Sequence, residues 1–220
     1  MGTQGAHIVW DWNGTLFHDV DAVVAASNAA FAEIGLGPIS VAQYRELYCV
    51  PIPKFYERLM GRTPTAGEWL TMDGVFQRHY AEHRDGCGLT EGVEELLAGW
   101  RGAGRSQSLL SMYGHEELVP LVRGFGIEPL FARVEGRLGP SGVSKAEAMT
   151  RHLDALAEVP ASRVVVIGDA ADDAVAARAA GAEAVLYTGG SHGRASLEAM
   201  GVPVVDSLAE AVVEAERLLG

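Results

Sequence analysis

The chain has 220 residues, 48% of them hydrophobic and 21% charged, the balance of a globular protein with one sizeable core or a core plus a smaller module. Its formal net charge is -12, with 17 Lys and Arg against 29 Asp and Glu. Such a surface repels nucleic-acid phosphates and anionic lipid, so neither nucleic acid nor membrane is an expected partner. An anionic substrate would meet the same repulsion, and a phosphate site would need a metal or local positive charge.

In chain order, residues 7–12 (HIVWDW) predict a short buried strand, broken by Asn13-Gly14-Thr15. Val20 to Ile34 is Ala-rich helix closed by Gly35 and Gly37, and Ser40 is placed to cap a further helix. From there to about His83 the chain reads as several helices, broken at Val50-Pro51-Ile52-Pro53 and Thr63-Pro64-Thr65, with no convincing strand. The tyrosines and phenylalanine at 44, 48, 55 and 56 recur at helical spacing, which predicts the core of this helical segment rather than a substrate platform.

After Gly86-Cys87-Gly88 the pattern alternates: helix 92–101, strand 106–111, helix 116–125, a weak strand at 131–134, helix 145–156, strand 163–168, helix 173–180, strand 184–187, a short helix, strand 202–205 and a closing helix. Uninterrupted apolar runs such as Val164 to Ile167 suit strands buried on both faces. Strands alternating with helices imply a doubly wound parallel α/β sheet. The helical segment interrupts that pattern directly after the first strand, which predicts a core of 1–17 and 88–220 with a helical cap of 18–87. Cys49 and Cys87 form no C-x-x-C pair and read as free thiols. No apolar run approaches the ~20 residues of a membrane span. Met1 to Gly5 lacks the basic-then-apolar pattern of a leader, so a cytoplasmic location is expected.

Ligands of doubly wound sheets bind beyond the carboxyl ends of the strands. There the chain places Asp11, Ser111, Gly168-Asp169 and Asp173, with Lys145 opening the helix before the fourth strand. A carboxylate can attack a phosphoryl group in line, a divalent metal and a lysine can neutralise its charge, and magnesium accepts a few carboxylates while keeping its waters. His115 and His192 fall on rim loops, and Trp12 is expected to pack beneath the rim. Asp172 is expected to face solvent or to back the site, and Gly189-Gly190 to close a tight turn.

In order and spacing these residues resemble the haloacid dehalogenase superfamily. Its D-x-D-G-T motif is matched by Asp11-Trp12-Asn13-Gly14-Thr15, its strand-ending hydroxyl by Ser111, its lysine by Lys145, and its G-D-x-x-x-D motif by Gly168, Asp169 and Asp173. The Thr-Gly-Gly-Ser-His run at 188–192 and the helical insert are similar to phosphoglycolate-phosphatase-like members. The resemblance implies a Rossmann-like core and a phosphatase acting on a small phosphorylated metabolite. In it Asp11 is the nucleophile, Ser111 and Lys145 bind the phosphoryl group, and Asp11, Asp169, Asp173 and the Asn13 carbonyl hold Mg²⁺.

One position departs from the pattern: Asn13 stands where hydrolytic members carry the aspartate that is general acid and base. Asparagine has no titratable proton, and losing such a group costs roughly 10²–10⁴ in rate. Three readings stay open. The leaving group needs no acid, as in an acyl phosphate; or His18, Asp19, His79 or His83 supplies the proton; or the protein is a slow enzyme, switch or binding protein.

Overall fold

The computed structural model describes residues 5–139, 143–156 and 158–220; the first four residues, read above as lacking a leader, lie outside it. Six parallel strands form one sheet: β1 (His7–Trp10), β4 (Ser106–Gly114), β5 (Val134–Arg137), β6 (Val164–Gly168), β7 (Glu183–Tyr187) and β8 (Val204–Val205). Their order is β5-β4-β1-β6-β7-β8. The two-residue period of a strand explains how it is sandwiched. Ile8, Trp10, Leu109, Val165, Ile167 and Val185 face one apolar layer, while Val9, Leu110, Val164, Val166, Ala184 and Leu186 face the other.

The first layer is closed by α5 (Val93–Gly102), α6 (His115–Gly124) and α10 (Leu208–Leu219), through residues such as Leu97, Leu118 and Ala211. The second is closed by α7 (Lys145–Asp154), α8 (Ala171–Ala179) and α9 (Arg194–Glu198), through Met149, Ala177 and Leu197. The doubly wound parallel sheet expected from the sequence is therefore present. Between β1 and β4 lie α1 (Val20–Glu33), α2 (Val41–Leu47), α3 (Ile52–Met60) and α4 (Ala66–Arg84), with a core of their own around Phe31, Tyr44, Phe55, Tyr56 and Met72. Ser40 caps α2 through a reciprocal pair: its Oγ accepts from Gln43 N at 3.2 Å, and Gln43 Oε1 accepts from Ser40 N at 2.9 Å.

Two expectations are corrected. The weak strand at 131–134 lies instead at Val134–Arg137, behind a short 3₁₀ turn at Glu128–Leu130. Strand β4 does not end at Ser111 but runs to Gly114, and its ladder with β5 is irregular between Leu110 and Gly114, so Ser111 sits where regular pairing lapses. The chain also forms a two-stranded antiparallel ribbon, β2 (Phe17–His18) with β3 (Gly88–Leu89), where it enters and leaves the helical insert. Cys49 and Cys87 are free and half-buried. Among the described residues no helix is long and apolar enough to cross a membrane.

A polar thread crosses the second layer. His7 Nδ1 lies 2.7 Å from Ser106 Oγ and its Nε2 lies 2.8 Å from Ser108 Oγ. His152 Nε2 reaches the same Ser108 hydroxyl at 2.8 Å, and its Nδ1 faces Glu135 at 3.1 Å. Hydroxyls can donate or accept, so they satisfy a neutral imidazole in either tautomer. Burial, helped by His152, pushes His7 down from 6.5 to about 4. The unfolded chain then takes up a proton before the folded one does, so His7 stabilises the fold fully above pH 6.5 and loses that contribution as pH falls towards 4. Denaturant titrations of wild type and His7→Gln should show the difference between them shifting against wild type by ~3 kcal/mol from pH 7.5 to pH 4; a constant difference would exclude the effect.

Candidate active site

The carboxyl ends of β1 and β6 adjoin at the centre of the sheet, where the register pairs Trp10 with Ile167. Asp11 follows directly, its N–H held by Ile167 O at 2.9 Å. Lys145, the first residue of α7, reaches in from the second layer and places Nζ 2.7 Å from Asp11 Oδ1 and 2.5 Å from Asp173 Oδ1. A helix N-terminus disfavours a cation; the two carboxylates outweigh that penalty. Ser144 caps the helix and fixes where the lysine stem begins.

Asp169 and Asp173 are gripped by backbone and hydroxyl donors. Thr15 Oγ1 donates to Asp169 Oδ1 at 3.1 Å and Ser191 N to its Oδ2 at 2.6 Å. Ala170 N donates to Asp173 Oδ2 at 3.0 Å. Two glycines make room for Asp169. Gly14 has φ +71°, and a Cβ there would lie 2.6 Å from Asp169 Oδ2; at Gly190 it would lie 2.1 Å from the same oxygen. The Gly189-Gly190 turn thus wraps the Asp169 carboxylate. Ser111 is buried, lines the same cavity, and accepts from Tyr113 N at 3.1 Å.

The electrostatics follow from burial. Oxygens of Asp11, Asp169 and Asp173 all lie within 4.8 Å of one another, and the three residues are buried. Burial pushes the Asp11 carboxyl well above the usual range against the pull of Lys145, with Asp173 and Asp169 adding to the rise. Burial and Asp173 together push Asp169 up to about 7. Burial also raises Asp173, with Lys145 opposing. For Lys145, burial acts downward, but Asp11, Asp173 and Asp172 more than reverse it and hold the ammonium well above the usual lysine range. Fully ionised, three carboxylates and one ammonium leave two negative charges uncompensated. An all-oxygen donor set with that excess fits a divalent hard cation such as Mg²⁺.

Asn13 is held from its nitrogen end. Its Nδ2 donates to Asp19 Oδ2 at 2.7 Å and to Tyr80 Oη at 2.8 Å, while Tyr80 Oη donates to Asp19 Oδ2 at 2.7 Å and Gly14 N to Asp19 Oδ1 at 2.9 Å. The amide orientation follows, because a flipped amide would set its oxygen against a carboxylate. Of the groups named as substitutes for the missing acid, the structure brings only Asp19 to Asn13. His18 is exposed on β2, and neither it nor His79 nor His83 lines the cavity.

Other expected residues fall as follows. Trp12 is buried beneath the rim, stacked on Phe17 at 5.1 Å. His192 is not an exposed loop residue: it is buried edge-on against Tyr48 at 4.9 Å. His115 is also engaged, accepting from Gly136 N at 3.1 Å. Asp172 is half-buried on the cavity wall. Tyr44, Tyr48, Phe55 and Tyr56 are both the core of the helical insert and a wall of the cavity. Sequence reasoning missed Tyr80, which lies in α4 far from residues 13 and 19, and Arg45 of α2. Arg45 donates from Nε to Gly190 O and from Nη2 to Gly189 O, both at 2.7 Å, while its own carbonyl accepts from Gly193 N at 2.9 Å. It ties the insert to the turn that wraps Asp169.

The site thus sets a buried carboxylate against a lysine, with two further acids beside them, beneath the helical insert. A family model for haloacid dehalogenase-like hydrolases matches residues 6–181, and the chain belongs to that family. The phosphoglycolate phosphatase of Cereibacter sphaeroides is 30% identical over 190 residues, covering 83% of this chain and 85% of that protein. That of Synechococcus elongatus is 28% identical over 194 residues, covering 87% and 88%. A haloacid dehalogenase-like family protein from Streptococcus pneumoniae superposes with a TM-score of 0.80 at 16% identity, covering 96% of this chain and 99% of its own.

Two outcomes test this geometry. Arg45→Ala removes two charge-assisted hydrogen bonds, each worth roughly 1.5–3 kcal/mol; hydrogen exchange at Ser191 and Gly193 should accelerate by about tenfold or more. Asn13→Asp sets a second carboxylate against that of Asp19, and denaturant unfolding at pH 8 should show a loss of about 2 kcal/mol. Adding Asp19→Asn should return most of it.

Proposed function

We propose that the chain is a Mg²⁺-dependent phosphatase that acts on a small phosphorylated metabolite through an aspartyl-phosphate on Asp11. The observation that carries this reading is the buried cluster of Asp11, Asp169 and Asp173 around a single ammonium. The phosphoglycolate phosphatases among its relatives support the same reaction class. Asp11, Asp169, Asp173 and the Asn13 carbonyl would hold the ion. Bound there, Mg²⁺ would supply charge neutralisation at a phosphoryl oxygen.

The chain's own groups do the rest. Lys145 engages Asp11 Oδ1, which leaves Oδ2 to attack phosphorus as the bond to the leaving oxygen breaks. The ammonium and the Ser111 hydroxyl neutralise and orient the transferring group. Water then attacks phosphorus, freeing phosphate and restoring the Asp11 carboxylate. Asn13, its N–H groups committed to Asp19 and Tyr80, can accept a hydrogen bond from that water through Oδ1 but cannot take its proton. Leaving groups that depart without protonation, such as the carboxylate of an acyl phosphate, are therefore favoured, and hydrolysis of the aspartyl-phosphate is the slow step.

With acetyl phosphate and Mg²⁺, acid quenching followed by peptide mass analysis should find one phosphoryl group on the peptide containing Asp11. Asp11→Asn should carry none and turn nothing over. Alkyl phosphates should turn over roughly 10²–10⁴ more slowly than acetyl phosphate. If neither a phosphoenzyme nor turnover appears with any phosphomonoester or acyl phosphate, the chain is instead a phosphate- and Mg²⁺-binding protein, the alternative that Asn13 favours.

A further inference from the structure

Beyond the carboxylates the site opens into a cavity of about 870 Å³ between the sheet edge and the helical insert. Its size lies in the range of pockets that bury drug-sized ligands, far beyond a two-carbon acid. Its far wall is aromatic, formed by Tyr44, Tyr48, Phe55, Tyr56, Trp69 and Phe76. The entry into α3 adds Val50 and Ile52, which are 47% and 37% exposed, so apolar surface at the mouth is left uncovered by the protein.

The charge of the lining is one-sided. Asp11, Asp19, Asp73, Asp169 and Asp172 line the cavity, and among the described residues Lys145 is the one cation that does. Lys145 is committed to Asp11 and Asp173. None of the insert's cations lines the cavity, and three of them are bound elsewhere: Arg45 to the carbonyls of Gly189 and Gly190, Arg58 to Leu47 O and Arg84 to Tyr113 Oη. A carboxylate on the leaving group would find no uncommitted cation in the lining and would face Asp19, Asp73 and Asp172.

Resting on the phosphatase reading above, we infer that, among substrates of matched leaving-group reactivity, this cavity selects one whose leaving group is bulky, ring-bearing and neutral or cationic, and that it disfavours phosphoglycolate and other carboxylated phosphates. Aromatic walls stack a flat apolar body, and Asp73 and Gln77 at the mouth receive a hydrogen-bond donor or an ammonium at its end.

The test pairs turnover with binding. With Mg²⁺, kcat/KM should be at least tenfold higher for benzyl phosphate than for 2-phosphoglycolate, and at least tenfold higher for 4-(aminomethyl)benzyl phosphate than for 4-carboxybenzyl phosphate, whose leaving alcohols are closely matched. Calorimetry with benzylphosphonate and phosphonoacetate, which cannot be hydrolysed, should show the same order. Asp73→Lys, a change at an exposed position, should narrow the amino-to-carboxy ratio at least fivefold. Tighter binding of benzylphosphonate without turnover of any ester or acyl phosphate would overturn the phosphatase reading and keep the cavity's selectivity. Equal or tighter binding of phosphonoacetate, or 2-phosphoglycolate as the better substrate, would overturn the inference whatever the rate.

Discussion

Three carboxylates and one ammonium are buried together at the carboxyl edge of a parallel sheet, and the fold around them is arranged to make that tolerable. Buried charge is costly unless it is paired and hydrogen-bonded. Each acid here is met by specific donors: Lys145 for Asp11 and Asp173, Thr15 and Ser191 for Asp169, the Ala170 N–H for Asp173. The donors come from four separate stretches of chain, so the cluster depends on the register of β1 against β6 and on the capped start of α7. The glycines at 14 and 190 serve the same end, since any side chain there would occupy the space of the Asp169 carboxylate. What remains uncompensated is negative charge. That residue of charge, rather than any single side chain, makes the pocket receptive to a divalent ion and, through it, to a phosphoryl group.

The departure at Asn13 becomes intelligible beside Asp19. An aspartate at 13 would lie within hydrogen-bond distance of a second carboxylate, where like charges cannot both ionise at ordinary cost. Asparagine supplies the donors that Asp19 needs and receives from Asp19 and Tyr80 a fixed orientation. Burial pushes Asp19 up while the donors from Tyr80, Asn13 and Gly14 pull it back. The residues at 13, 19 and 80 thus form one unit shared between the strand end and the insert. The orientation of Asn13 is set partly by a tyrosine on α4, so the rim and the insert are physically linked. Arg45 makes a second such link through the turn that wraps Asp169.

The core was readable in the sequence because both-face burial writes itself as apolar runs: Val164 to Ile167 lies fully buried in β6 as its composition demands. Asp11, Asp169 and Lys145 were readable because each follows a strand or opens a helix, whereas Ser111 lies inside β4. Strand β5 was misplaced for the converse reason. Its residues Val-Glu-Gly-Arg are mostly polar, and Glu135 is buried only because Arg133, Arg151 and His152 converge on it from elsewhere. The ribbon of β2 and β3 has two residues per strand, too few for any periodicity to register. Tyr80 and Arg45 act across long separations in sequence, and nothing in their local spacing marks them. His192 was placed on a rim loop, but its burial was not legible because it depends on Tyr48 of the insert, far away in sequence.

The helical insert carries the least sequence signal for function and the most physical consequence for it. Its aromatic residues satisfy two demands with one set of rings: they form the core that lets the four helices hold together, and their remaining faces wall the cavity above the acids. Spacing at helical period reports the first demand and is silent on the second, because a ring packed on one face and open on the other has the same pattern as one packed on both. Core and insert therefore answer to different constraints. The core must keep acids, lysine and glycines at fixed places to preserve a reaction, whereas the insert needs only an apolar interior and is free to vary the shape and charge of the surface it turns towards the site. Relatives at 28–30% identity thus speak to the reaction through the core they share. On the inference drawn above, the partner of the phosphate is selected by the aromatic rings and by the lack of any uncommitted cation among the described residues that line the cavity.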